Sequence, residues 1–220
     1  MYRRIWAALL SLALALGTMP CARAADLLDE YDDLIRDSWY AQGVRYCLRH
    51  GLMNGYRNYG THFYPDWRIT RAQLATILWR MEEQPTIGLM MQYTDVAEGA
   101  WYAEAIRWAT GMGLMSGYTA LIFAPEEPLT REQLATVLWR YARYRNGTVA
   151  SFPGACAVYE DADQIGSYAV EAMEWVSGMG ILSGERWQQG KQWLRPQNGT
   201  TRAAAATILM RFCLDMGVYD

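Results

Sequence analysis

Only one of the 20 basic residues in this 220-residue sequence is a lysine, Lys191, and only two histidines occur, His50 and His62. The basic residues face 23 acidic ones, for a net charge of −3. Nucleic-acid binding draws its affinity from neutralised phosphates and needs a dense basic face, so this balance argues against it. There is no Gly-x-Ser-x-Gly elbow, phosphate-binding loop or dinucleotide fingerprint. No pair of carboxylates is singled out for acid–base work, so the sequence offers no catalytic constellation and implies no cofactor. Cysteine is scarce, and the spacings of Cys47, Cys156 and Cys213 fit no zinc motif. Cys47 and Cys213 fall in apolar helical patterns, where a buried thiol is expected; one disulfide is the alternative.

Long apolar runs are missing too. The longest, from Ile5 to Met19, falls short of the ~20 residues that span a bilayer. It follows Arg3-Arg4 and precedes Ala22-Arg23-Ala24, the pattern of a secretory leader. Residues 1–24 are therefore expected to be removed and the chain exported to the cell surface. Loss of Arg3, Arg4 and Arg23 leaves the remainder more acidic.

What is present is a globular composition, 52% hydrophobic and 13% aromatic, arranged as an internal triplicate. The run from Thr70 to Arg80 recurs from Thr130 to Arg140 and from Thr201 to Arg211, sharing Thr, Arg, Ala, Thr, Leu and Arg at equivalent places. Upstream, Gly51-Leu52-Met53-Asn54-Gly55 matches Gly113-Leu114-Met115-Ser116-Gly117 and Gly180-Ile181-Leu182-Ser183-Gly184. Further upstream, Tyr31-Asp32-Asp33 matches Tyr93-Thr94-Asp95 and Tyr159-Glu160-Asp161, with Trp39, Trp101 and Tyr168 following. The expected units are 25–87, 88–150 and 151–220.

Each unit reads as helix, loop, helix, which makes the fold all-α. First helices are predicted over 38–50, 100–112 and 166–179, ending at a glycine suited to the left-handed C′ position. Proline in Phe63-Tyr64-Pro65, Phe123-Ala124-Pro125 and Leu194-Arg195-Pro196 marks the connecting loop. Second helices begin after Thr70, Thr130 and Thr201; Gln73 and Gln133 complete capping boxes, whereas Ala204 leaves the third incomplete. Leu74, Ile77 and Leu78 form the apolar stripe of the first such helix. Trp79, Trp139, Trp108 and Trp175 lie on helical stripes and are expected in the core. Units of this size are marginal alone. The favoured arrangement is three repeats closed about a pseudo-threefold axis, one apolar-faced helix from each meeting at the centre.

Arg71, Arg131 and Arg202 occupy the first turn, where the helix dipole disfavours a cation by ~0.3–1 kcal/mol. Two causes fit. The free amides of that helix end, with a guanidinium beside them, would hold a carboxylate or phosphate. Alternatively, each arginine pairs with an acid of its own chain, such as Asp33, Asp95 or Asp161; an aspartate that orients the arginine reconciles both. Trp39, Trp101 and Tyr168 are either sugar-facing platforms or ordinary aromatics. Gly55, Gly117 and Gly184 either relieve crowding or let a ligand approach the backbone. Arg80, Arg140 and Arg211, late in the second helices, read as structural.

Taken together, the tyrosine-x-aspartate start, the spaced aromatics, the Gly-Leu-Met-x-Gly block, the Phe-x-Pro loop and the Thr-Arg helix start resemble three tandem S-layer homology domains, from about Tyr31 to Gly217. The resemblance implies noncovalent, non-catalytic binding of an acidic, often pyruvylated, secondary cell-wall polymer in grooves between repeats. It assigns the ligand to Arg71, Arg131 and Arg202, with Asp33, Asp95, Asp161, Trp39, Trp101, Tyr168, Gly55, Gly117 and Gly184. The family's glutamate is replaced by Gln73, Gln133 and Ala204. The third repeat also has Tyr168 for tryptophan and a longer loop carrying Lys191, so the site of that repeat is expected to be the weakest. Another envelope protein is the alternative partner, met by exposed aromatics such as Trp67, Trp187 and Trp193.

Overall fold

The computed structural model describes residues 26–56, 61–186 and 190–219. The leader expected at 1–24 and Trp187 lie outside them. Six helices carry the architecture: α1 (Ala41–Arg49), α2 (Arg71–Met81), α3 (Ala103–Gly111), α4 (Arg131–Asn146), α5 (Val170–Gly178) and α6 (Arg202–Met216). The chain is all-α apart from a two-residue antiparallel pair, β1 (Glu185–Arg186) and β2 (Gln192–Trp193). No helix among the described residues is long and apolar enough to cross a membrane.

The second helices begin where their caps dictate. Thr70 and Thr130 accept from the Gln73 and Gln133 amides, and both glutamines reach back to the cap amide. Thr201 accepts from the Ala204 amide without the reciprocal bond. The first helices are shorter than predicted. They start at Ala41, Ala103 and Val170 with no side-chain cap, so Trp39, Trp101 and Tyr168 sit in the preceding turn.

Helix pairing crosses the repeats. α2 packs on α3, α4 on α5 and α6 on α1, so each second helix takes the first helix of the following repeat as its main partner. The second helices also meet, the Tyr141 ring of α4 standing 5.8 Å from that of Phe212 on α6. Leu74, Leu78, Leu134, Leu138, Leu209 and Phe212 are all fully buried in one continuous core. Trp108 and Trp175, on first helices, are buried as predicted. Trp79 and Trp139 instead stay half-buried at the rim, where a large ring is held by local contacts. Trp79 donates to Pro85 O (2.8 Å), and the Arg143 guanidinium stands 4.6 Å from the Trp139 ring. Cys47, Cys156 and Cys213 are buried free thiols, and burial pushes Cys213 up to about 12, well away from reactivity.

Backbone bonds join the segments that enter the second helices. Leu129 N–H donates to Ile69 O (3.0 Å), Thr200 N–H to Leu129 O (2.8 Å) and Ile69 N–H to Thr200 O (2.9 Å). The three bonds run in a cycle, and all three residues are buried. Around it, the loop before each second helix is shaped by an aspartate. Asp33 accepts from the Phe63 and Tyr64 amides (2.8 and 2.6 Å), and Asp95 from Phe123 and Ala124 (2.9 and 2.7 Å). Asp161 accepts from Leu194 and Arg195 (2.8 and 2.7 Å). The second residue of each pair has a positive φ, 58° at Tyr64, 59° at Ala124 and 53° at Arg195, a conformation that costs a non-glycine residue of order 1 kcal/mol. Charge-assisted bonds to both carboxylate oxygens offset that strain.

Two outcomes follow. Asp95→Ala strands two amides beside a left-handed residue and should lower the stability measured by urea unfolding by roughly 3 kcal/mol; a change below about 0.5 kcal/mol, the range of ordinary surface substitutions, would show that the loop holds without its clamp. A fragment ending at Ala150 loses Thr200 from the backbone cycle and α6 from α1. It should give no cooperative unfolding transition by circular dichroism.

Candidate ligand-binding grooves

Each clamped loop passes its geometry on to an arginine of the preceding repeat. The carbonyl of Phe123 accepts from Arg71 Nε (2.9 Å), that of Leu194 from Arg131 Nε (2.7 Å) and that of Phe63 from Arg202 Nε (2.9 Å). The Nη2 atoms donate to Ser116 O (2.5 Å), Ser183 O (3.0 Å) and Asn54 O (2.8 Å) respectively. Two carbonyls thus occupy part of a five-donor fork. Arg71 also stands over the rings of Tyr118 (4.7 Å) and Phe123 (4.4 Å), and Arg202 over Tyr56 (5.0 Å) and Phe63 (4.5 Å).

These cations are desolvated but not ion-paired. Arg71 is 7% exposed and Arg202 4%. None of the three forms a salt bridge among the described residues. Burial pulls their pKa values down; Glu185 and then Asp161 act on Arg131, and Asp95 and Asp33 on Arg71 and Arg202, at longer range in the opposite sense. Direct pairing with these aspartates is not what the structure shows, because both carboxylate oxygens are already taken by loop amides. The free amides expected at the helix ends are also absent. Arg71 and Ala72 N–H donate to Glu127 O and Pro125 O, Arg131 and Glu132 N–H to Asn198 O and Pro196 O, and Arg202 and Ala203 N–H to Trp67 O and Pro65 O. Contacts between repeats consume them, so any anion here meets side chains rather than the helix end.

Three solvent-open grooves lie beside these arginines. The first holds Arg202, Gly55 and Trp101 in a cavity of about 230 Å³. The second holds Arg71, Gly117 and Tyr168 in about 280 Å³, and the third Arg131, Gly184 and Trp39 in about 620 Å³. Every groove takes its glycine, its arginine and its aromatic from three different repeats. Trp39, Trp101 and Tyr168 are 67%, 60% and 57% exposed, so their rings are open to a ligand. Asp33, Asp95 and Asp161 line none of these grooves. The glycines have a steric reason of their own. A Cβ at Gly55 would come within 2.2 Å of the Tyr31 ring and 2.6 Å of His62 O, and Gly117 is crowded in the same way by Tyr93 and Ile122 O.

Some groove residues escaped the sequence reading. Tyr56 and Tyr118 follow the Gly block directly, a position that is Glu185 in the third repeat. Arg80, Arg140 and Arg211 each line one groove. Their recurrence was the available signal, and it was ascribed to the helix dipole. α4 and α6 run on to Asn146 and Met216, however, so the dipole accounts for Arg80 alone. The departures of the third repeat are also not gathered in one place. Tyr168 belongs to the second groove, whereas Ala204 and Glu185 belong to the third. Tyr168 hydroxyl donates to Glu132 Oε1 (2.7 Å), whose other oxygen accepts from Gly166 N–H (2.8 Å). Burial, and then this carboxylate, push the Tyr168 phenol pKa up. Glu132 stands where the other repeats have Ala72 and Ala203, so the tyrosine arrives with its own acceptor. Ala204, in place of the glutamine lining the other two grooves, leaves the third the roomiest.

The family model described as S-layer homology domain matches residues 30–75 and 92–135. The chain is 30% identical over 215 residues to the surface-layer 125 kDa protein of Lysinibacillus sphaericus, covering 95% of this chain and 17% of that one. It is 29% identical over 157 residues to cell surface glycoprotein 1 of Acetivibrio thermocellus, covering 68% of this chain and 6% of the relative. Against the cellulosome-anchoring protein of the same organism it is 25% identical over 156 residues, 69% of this chain and 33% of the relative. The chain thus spans only a small part of each of these relatives. The two matched segments contain the aspartate clamps, the Gly blocks and the Thr-Arg helix starts of the first two repeats, and on these findings the chain carries S-layer homology domains there.

Proposed function

We propose that this chain is an exported, non-catalytic module that attaches to the bacterial cell wall by holding an acidic secondary cell-wall polysaccharide, for instance a pyruvylated one, in the grooves between repeats. The observation that carries the reading is the set of three desolvated arginines, each held by loop carbonyls and without an ion pair among the described residues, beside a groove with an exposed aromatic. A buried cation lacking a counter-charge is costly, and an incoming carboxylate both neutralises it and accepts its remaining donors. In this reading Arg71, Arg131 and Arg202 grip the acid, and Trp101, Tyr168 and Trp39 stack on sugar rings. Gly55, Gly117 and Gly184 keep the groove floor open, while Asp33, Asp95 and Asp161 act through the loops as positioning residues. The units 25–87, 88–150 and 151–220 are taken to sit about a pseudo-threefold axis, which the cyclic backbone bonds support. The names of the surface-layer and cellulosome-anchoring relatives support attachment to the envelope.

A second reading, a protein-interaction module on the same fold, is favoured by one patch. Trp67 is half exposed and stacks on Tyr64 at 4.0 Å, with Tyr56 at 5.6 Å.

Cosedimentation with purified wall sacculi tests both. The full chain should pellet, and the combined Arg71→Gln, Arg131→Gln and Arg202→Gln variant should lose at least about tenfold in affinity while keeping its circular dichroism spectrum. Mild-acid removal of ketal carboxylates from the sacculi should have the same effect. Undiminished pelleting of the variant would overturn the groove assignment. Capture of one stoichiometric protein with no sacculus binding would favour the second reading.

A further inference from the structure

In the first and second grooves the arginine at the helix entrance is not alone. Arg80 lines the first beside Arg202, and Arg140 lines the second beside Arg71. Both second arginines are half-buried, and neither forms an ion pair among the described residues. Among the described residues no carboxylate lines either groove. The members of each pair are held apart by one short loop. In the first groove Arg80 Nη1 donates to Leu52 O (3.1 Å) and Arg202 Nη2 to Asn54 O (2.8 Å). In the second, Arg140 Nη1 donates to Leu114 O (3.5 Å) and Arg71 Nη2 to Ser116 O (2.5 Å). Arg202 Nη1 lies 3.5 Å from Gln73 Oε1, which places that guanidinium at the start of α2. Arg80 lies seven positions further along the same helix, about two turns or ~10 Å. Two like charges facing one cavity repel, and retaining both asks for negative charge at two points of whatever enters.

We propose that these two grooves each take a doubly charged stretch of glycan, one anionic group meeting Arg202 or Arg71 and a second, further along the glycan, meeting Arg80 or Arg140. The second anion is either another ketal carboxylate or a phosphodiester, and both present the same acceptor oxygens to a guanidinium. The inference rests on the acidic-glycan reading and narrows its ligand. The third groove is different. Arg211 Nη1 there faces Ser183 Oγ (3.4 Å), and Asp66 and Glu185 line the walls, Glu185 Oε2 accepting from Arg195 Nε (2.9 Å). Arg68 and Arg195 also line this groove beside Arg131 and Arg211, so its charges are mixed and the inference is confined to the first two grooves.

The test is cosedimentation of the full chain with purified wall sacculi across increasing NaCl, comparing wild type with Arg80→Gln/Arg140→Gln and with Arg71→Gln/Arg202→Gln. Expected is a roughly tenfold weaker affinity for Arg80→Gln/Arg140→Gln and a shallower salt dependence, because fewer charge contacts remain to be screened. Arg80→Lys/Arg140→Lys keeps the charges and should recover the wild-type salt dependence. Mild-acid treatment of the sacculi removes ketal carboxylates, and hydrofluoric acid cleaves phosphodiesters. If wild type keeps its advantage over Arg80→Gln/Arg140→Gln after hydrofluoric acid, the second anion is a ketal carboxylate; if wild type still pellets but that advantage is lost, it is a phosphodiester. Wild-type affinity and salt dependence in Arg80→Gln/Arg140→Gln, with loss in Arg71→Gln/Arg202→Gln, would overturn the two-anion inference and leave the acidic-glycan reading standing. Undiminished binding in both variants would overturn the acidic-glycan reading itself. Failure of a natively folded lysine variant to recover would overturn the two-anion inference.

Discussion

The grooves depend on a relay that begins at a carboxylate and ends at a cation one repeat away. Asp95 holds the amides of Phe123 and Ala124, that hold keeps Ala124 in a left-handed conformation, and the turn aims Phe123 O at Arg71. Asp161 and Asp33 act on Arg131 and Arg202 through the same three links. A direct ion pair would neutralise the arginine and leave it nothing to offer. Interposing a peptide unit fixes the guanidinium as firmly while keeping its charge available, with the carboxylate close enough to help it through space.

This relay works because the repeats exchange partners. The same loops that orient the arginines also accept the first amides of the second helices, and α2, α4 and α6 pack on first helices of the following repeat. Folding and groove formation are therefore one event, since no repeat contains a whole groove. Buried arginine is tolerated because burial is partial in donors: loop carbonyls satisfy some of the fork, aromatic faces cover part of the plane, and the rest opens to the groove.

Exchange of parts also governs how sequence changes are felt. The third repeat departs from the other two at Tyr168, Ala204 and the Glu185 loop, yet these alter two different grooves. Tyr168 with Glu132 keeps the second groove furnished with an aromatic. Ala204 and Glu185 enlarge the third groove and bring negative charge to its wall. Three entrances that look alike in sequence thus differ in room and in the charges that line them.

The starts of the second helices, the proline loops and the threefold recurrence were legible in the sequence because caps, turns and periodicity are local: Thr130 and Gln133 cap α4 whatever surrounds them. So was the recurrence of Arg71, Arg131 and Arg202 at helix entrances, whose placement against the dipole needs no structure to notice. The role of Asp95 was not legible, since two amides 28 and 29 residues away compete with the arginine for it and win by distance. Nor was that of Arg140, because its helix proved longer than the repeat suggested. Sequence determined which residues recur and where the capped second helices begin; tertiary structure alone decided which repeats share a groove, because long-range packing, not spacing along the chain, chooses the neighbour that each loop and each arginine meets.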